Sequence, residues 1–269
     1  MLKVLQHFIQ QVDLRREDAY DLLFNAFKSI FPMPFIVVPI KAASIVYRSR
    51  QNIENSNYCK FEDLSYPPSH LVTKYSRANK PYQQVFYASD NFVTNLAELL
   101  PYWLKDYKVG DVFAVTTGQW ELTSKLWIAL LPDSTNKKMM DNLKSADTLN
   151  LSPSDWAYWD YVASFFKELG FSNNDIYKLS SAYCNALIHN AKIDNKNING
   201  ILYTSVIDDA GWNLALAPEV ADKYFVLKNV VKHYIRKRPP EDEKASYDNY
   251  ITPAKPSSID YKTRMIKWE

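Results

Sequence analysis

Glycine is scarce in this chain, with 5 among 269 residues, far below ordinary usage. A phosphate-cradling loop needs clustered glycines, so Gly-rich nucleotide loops are excluded. Cysteine is rarer still. Cys59 and Cys184 form neither a disulfide framework nor a CxxC pair, and both are expected to be small buried residues. Charge of one sign is missing too. A formal net charge of +2 gives no field for nucleic acid or a membrane surface. The apolar run IFPMPFIVVPI is short and broken by Pro32, Pro34 and Pro39, which excludes a membrane span. HExxH, GxSxG and zinc-ligand spacings are absent, so no metal is expected. No leader-like segment opens the sequence, and a reducing cytoplasm is the expected setting.

What is present is aromatic. Phe, Trp and Tyr make up 14% of the chain, enough to build a core and also to line a pocket for a planar ring. Val4, Leu5, Phe8 and Ile9, then Tyr20, Leu23, Phe24 and Phe27, recur at helical spacing. They predict a helical segment over 1–40, closed by Pro32 and Pro34 and packed on the main domain. Residues 42–47, 84–88 and 111–115 read as strands. Ser89 or Asp90 caps a helix reaching about residue 103, with Pro101 near its end. Residues 120–144 read as a helix and a polar excursion. Pro153 and Gly170 bound a further helix, and another spans 174–190. Short strands follow at 201–207, 213–217 and 224–230. The order is mixed α+β without βαβ alternation. The main domain is expected over 41–235, with a helical insertion at about 120–190. The charged, proline-containing KRPPEDEK makes 236–269 a loop or tail.

Four dispersed residues carry the chemistry. Arg48 sits in IVYRSR, Arg77 in YSRANKP, Glu98 in LAELL and Ser205 in GILYTS. Two cations, a carboxylate and a hydroxyl can converge on a small anionic ligand, and buried charge is too costly to be kept without a partner. A guanidinium is a rigid donor fork for phosphate or carboxylate. The bland alternative is a salt bridge to Glu62, Asp63 or Glu98. Tyr47, Tyr75 and Tyr87 can stack on a ring or serve as core. Glu98, in an apolar helix turn, faces water or aims into a cleft. In a cleft it suits a pyridinium glycoside such as NAD⁺, whose nicotinamide leaves neutral and needs no general acid. One carboxylate then stabilises the oxocarbenium ion or orients the 2′-hydroxyl. Ser205 is a strand-end residue or a hydroxyl donor toward substrate, and Asn213 supports the same region.

Together these residues resemble the RES domain family, named for its Arg, Glu and Ser. Tyr47 and Arg48 match its early strand pair. SRANKPYQQVFYAS, with Arg77 and Tyr87, matches its GRAN-P segment, and Ala97 and Glu98 match its helix. GILYTS with Ser205, then NLALAP from Asn213, match its late strands. Ser76 stands where the family has glycine, Thr204 where it has proline, and the link before the last strand is shortened to DDAGW. The resemblance implies an ADP-ribosyltransferase-like fold, a single α+β domain whose mixed or antiparallel sheet is split around a cleft. It implies NAD⁺ as substrate rather than cofactor. Arg48 and Arg77 would hold the phosphates or the nicotinamide ribose, and Tyr47 and Tyr87 would shape ring pockets. Glu98 would stabilise the ribosyl transition state, with Ser205 on the nicotinamide side. The activity implied is NAD⁺ hydrolysis or phosphorolysis by a toxin, silenced by a small antitoxin with an Xre-like helix-turn-helix. The acceptor stays open among water, inorganic phosphate and a protein side chain. The alternatives are a protein ADP-ribosyltransferase and an NAD⁺-binding regulatory module without turnover.

Overall fold

One bent antiparallel ribbon organises the computed structural model, which describes residues 2–29, 35–136, 139–141, 152–167, 174–190, 192–193, 196–208, 211–241 and 244–268. Pro32, Pro34, Gly170 and Asp209 lie outside the described residues. Helices α1 (Leu2–Gln11) and α2 (Ala19–Ser29) come first, then strands β1 (Ile36–Ile40), β2 (Ile45–Gln51) and β3 (Phe86–Ser89). Helix α3 (Phe92–Trp103) leads to β4 (Val112–Leu122) and β5 (Leu126–Leu130). Helices α4 (Pro153–Lys167) and α5 (Tyr177–Asn190) precede a two-residue hairpin, β6 (Lys192–Ile193) and β7 (Lys196–Asn197). Then come β8 (Gly200–Thr204), β9 (Trp212–Leu216), α6 (Pro218–Tyr224), β10 (Phe225–Glu241) and β11 (Lys244–Ala254). A last hairpin joins β12 (Ser258–Asp260) to β13 (Met265–Lys267).

The main sheet runs β1-β5-β8-β9-β3-β2-β4-β10-β11, antiparallel except between β5 and β8. In the ribbon, β1 pairs with β5 and β2 with β4. It bends at residues 41–44, where Ala43 takes a left-handed φ of 64° and donates its N–H to Leu122. The two arms thereby enter opposite ends of the strand order, with β8, β9 and β3 between them. β2 and β3 pair at Tyr47 opposite Ser89 and then part. The α+β sheet is split at that point.

Strand alternation sends β8 side chains to two different cores. Ile201 and Tyr203 face a core shared with α2, α4 and α5, where the rings of Phe27 and Tyr183 meet edge to face at 5.4 Å. Leu202 joins Phe86, Trp120, Leu214 and Leu216 on the other side. Leu96, Leu100 and Leu104 seat α3 and its extension on Phe113, Val115 and Ile235. Asn91 caps α3, its Oδ1 accepting from Thr94 N at 2.9 Å, one or two residues beyond the expected cap.

The structure corrects several expectations. Residues 120–122 and 126–130 are strand, joined by a short link, rather than the start of a helical insertion. β4 is buried on both faces over most of its length, so it lacks the alternation that marks a half-exposed strand. Residues 236–269 are not a tail. β10 runs on to Glu241, β11 pairs back along it, and β13 bridges to Lys60. Of the charged stretch, Arg238, Pro239 and Pro240 are exposed near the far end of β10, where polar side chains suit solvent. Cys184 is buried as expected, whereas Cys59 is exposed. Among the described residues no helix is long and apolar enough to cross a membrane.

Gly200 shows how closely these strands approach. A Cβ there would lie 2.4 Å from the Ala215 carbonyl oxygen and 2.6 Å from Leu216 Cδ2. Backbone cannot yield as a flexible side chain can, so Gly200→Ala should cost about 1–3 kcal/mol. A urea denaturation midpoint unchanged from the wild type would contradict this packing.

Candidate active site

The cleft opens where β2 and β3 part. Arg48 is the first β2 residue past their shared pair. Its Nη1 donates to the carbonyl of Tyr87 on β3, and its Nε donates to Ser65 O, each at 2.8 Å. The guanidinium thus replaces a ladder hydrogen bond across the split, and it also lies over the Phe86 ring at 5.7 Å. Burial, then the charge of Arg50, pulls its pKa down to about 10, which leaves it charged at neutral pH.

A cavity of about 610 Å³ fills this opening, a size suited to a small-molecule site. Asn95, Glu98, Leu99 and Tyr102 line it from α3, at the i, i+3, i+4 and i+7 positions of one helix face. The opposite face of α3 is the one anchored by Leu96 and Leu100. Sequence amphipathicity therefore aims Glu98 into the cleft.

Three donors hold one oxygen of Glu98. Oε1 accepts from Ser205 Oγ at 2.6 Å, from Asn213 Nδ2 at 2.7 Å and from the Val206 N–H at 3.2 Å. Ser205 can serve because its own Oγ accepts from the N–H groups of Ile207 and Asp208, at 3.2 and 3.0 Å, in a tight turn after β8. The other oxygen, Oε2, lies 3.6 Å from Arg77 Nη1, with both side chains about nine-tenths buried (10% and 11% exposed).

Arg77 is held from the other side by the helical pair. Its Nε donates to Phe166 O at 2.8 Å, and the Tyr177 ring lies 5.6 Å from its guanidinium. Phe166 is in the last turn of α4, where carbonyls lack helical partners and carry the negative end of the helix dipole. Burial opposes the charge of Arg77, but Tyr203 and Glu98 outweigh it and hold its pKa above the ordinary value. Tyr177 also shares a 2.8 Å hydroxyl contact with Tyr102. Tyr177 of α5 is thus part of the cavity wall, and α4 supports that wall from behind through Arg77.

Arg48, Arg77, Tyr87, Glu98 and Asn213 all line the one cavity. Ser205 stands behind Glu98 and touches the site through it. Tyr87 donates to Asn79 Oδ1 and accepts from Ala78 N, so its ring forms wall while its hydroxyl braces the SRAN turn. Burial pushes the hydroxyls of Tyr87 and Tyr203 well up, so both stay neutral. Tyr47 is not brought into this cavity. Successive side chains alternate across a strand, and Tyr47 lines a separate hollow of about 270 Å³ with Phe92 and His233. Asn95, Tyr102 and Tyr177 were not singled out from the sequence. The first two were legible as the helix face of Glu98; Tyr177 carried no local signal.

A family model described as the RES domain matches residues 45–235, most of the chain. No curated protein and no solved structure matches it.

Two outcomes follow from this geometry. Arg77→Met leaves Glu98 buried without its cation and should destabilise the fold by roughly 3 kcal/mol. Chemical denaturation would read this, and a loss below a few tenths would refute a structural tie at Arg77. His233 stacks on Phe92 at 4.5 Å, and burial holds its pKa below the usual 6.5. The fold favours neutral imidazole, so the unfolded chain binds more protons below that value. Stability should decline as pH falls through 6.5 and level off beneath the folded pKa. The decline should be shallower in His233→Gln, by denaturation midpoints taken across that range.

Proposed function

The chain belongs to the RES domain family, and on that premise we propose that it cleaves the nicotinamide–ribose bond of NAD⁺ as a glycohydrolase or phosphorylase. On this reading it is a toxin that depletes the dinucleotide. One observation carries the reading. Glu98 lines the cavity with Oε1 saturated by Ser205, Val206 and Asn213, which leaves Oε2 beside Arg77 for the reaction.

A carboxylate held by three donors cannot swing away to solvent, so its charge is already in place when positive charge develops. The bond from the anomeric carbon to the pyridinium nitrogen breaks, and its electron pair stays on nitrogen. Nicotinamide leaves neutral and takes no proton. Glu98 stabilises the oxocarbenium ion left on the ribose. Water then adds to the anomeric carbon and loses its proton to solvent, giving ADP-ribose. In the phosphorolytic case a phosphate oxygen adds instead.

Arg77 holds the carboxylate and presents positive charge toward the substrate's anionic or ribosyl groups. Arg48 fixes the parted strands and presents positive charge to the same cavity. Ser205 and Asn213 are positioning residues for Glu98, and Tyr87 and Tyr203 supply ring surface. A small antitoxin with an Xre-like helix-turn-helix is the expected inhibitor partner, and the cytoplasm the expected setting.

Nicotinamide release from NAD⁺, measured with and without inorganic phosphate, tests the reading. Wild-type protein should release nicotinamide, and Glu98→Gln should lose at least about 100-fold in kcat. A product bearing phosphate would assign the acceptor. Folded wild-type protein that binds NAD⁺ without releasing nicotinamide would refute it.

A further inference from the structure

Hydrogen-bond polarity spreads from Glu98 through three neighbours. A carboxylate only accepts, so Asn213 turns its Nδ2 to Glu98 Oε1, at 2.7 Å. The oxygen of the same amide must then face Ser89, whose Oγ donates to Asn213 Oδ1 at 2.8 Å. Ser89 has one proton and has used it there. Toward its next neighbour it can only accept, and that neighbour is Asn95, whose Nδ2 lies 3.4 Å away. Asn95 is thereby fixed with its oxygen at the free end of the chain.

Among the described residues that oxygen has no partner. Asn95 is 5% exposed, and its Oδ1 is a buried acceptor without a donor from the protein. Asn95 also lines the cavity, one helical turn before Glu98. A buried acceptor left unmatched is a standing cost to the fold, and native proteins keep few of them.

We infer that Asn95 is a substrate-binding residue, its Oδ1 accepting a hydrogen bond from the nicotinamide riboside half of the substrate. This rests on the NAD⁺ reading. Residues three apart on a helix place their Cβ atoms about 5–6 Å apart, so the donor lies close to the carbon on which Glu98 acts. Two kinds of donor meet that condition, a ribose hydroxyl and the carboxamide N–H. Because the acceptor's direction is set by the ionised catalytic group, the site selects ligands that donate at this point. An analogue lacking the donor leaves Oδ1 unmatched in the complex, the situation that gives polar sites their strongest discrimination.

Asn95→Leu keeps the branched shape, at some gain in volume, and removes the acceptor. The expected result is a melting temperature held or raised, together with a loss of about 10- to 100-fold in kcat/KM for NAD⁺. A melting temperature lowered in both Asn95→Leu and the smaller Asn95→Ala would make Asn95 a structural residue and overturn the inference, as would an unchanged kcat/KM. Asn95→Ala, read the same way, serves if the leucine variant does not fold.

Two NAD⁺ analogues identify the donor. If the 3-acetylpyridine dinucleotide abolishes the difference between wild type and Asn95→Leu, the carboxamide is the partner. If a deoxyribose analogue abolishes it, the partner is a hydroxyl. A difference that persists with every analogue overturns the assignment. Should wild-type protein release no nicotinamide, the NAD⁺ reading fails on its own. The melting temperatures of Asn95→Leu and Asn95→Ala then decide, since a fall in both overturns the inference and a rise in either supports an acceptor kept for another ligand.

Discussion

Two strands that share one pairing and then part set the geometry of this molecule. Beyond Tyr47 and Ser89, the facing edges of β2 and β3 no longer have each other as partners. Backbone groups in such a place must find other partners or water. Arg48 meets part of that demand by donating across the gap to Tyr87, and it ties in the loop at Ser65. The cavity is therefore a consequence of sheet topology, and the arginine beside it is a structural brace as well as a source of charge. Replacing it with a residue of equal charge but fewer donors would not restore the same edge.

Buried charge in the cleft is tolerated because Arg48, Arg77 and Glu98 are each held by protein groups. Glu98 has three donors on one oxygen and a guanidinium near the other. Arg77 has that carboxylate on one side and the end of α4 on the other. The desolvation cost of each ion is offset by fixed partners, with no need for solvent to reorganise. Asn95 is the exception, and it lies at the end of the same network.

Much of this was legible in the chain. The helix carrying Glu98 declared itself through its capping residues and the proline near its end, and the separated Arg, Glu and Ser motifs do meet in space. Ser205 lies behind the carboxylate because its hydroxyl is drawn into its own turn, a local choice that a motif does not reveal. Tyr47 faces away because alternation places it opposite Arg48. The strands around Trp120 escaped reading since β4 is covered on both faces, and the Thr123–Ser124–Lys125 link has none of the Gly, Pro or Asn that usually mark a turn. The long β10–β11 hairpin was hidden by its charges and its prolines, Pro239 and Pro240, which β10 accommodates because they lie past its pairing with β4 and at a register shift against β11.

The partners of the cleft are far apart along the chain. Arg77 finds its carbonyl 89 residues later, and Glu98 finds Ser205 and Asn213 after 107 and 115 residues. A nascent chain on the ribosome carries both charged residues long before it carries anything that can hold them. The site can assemble only once synthesis has passed β9, so the cleft is incomplete for most of each molecule's own production. On the NAD⁺-cleaving function proposed above, that delay leaves the time of synthesis available for an inhibitor to bind.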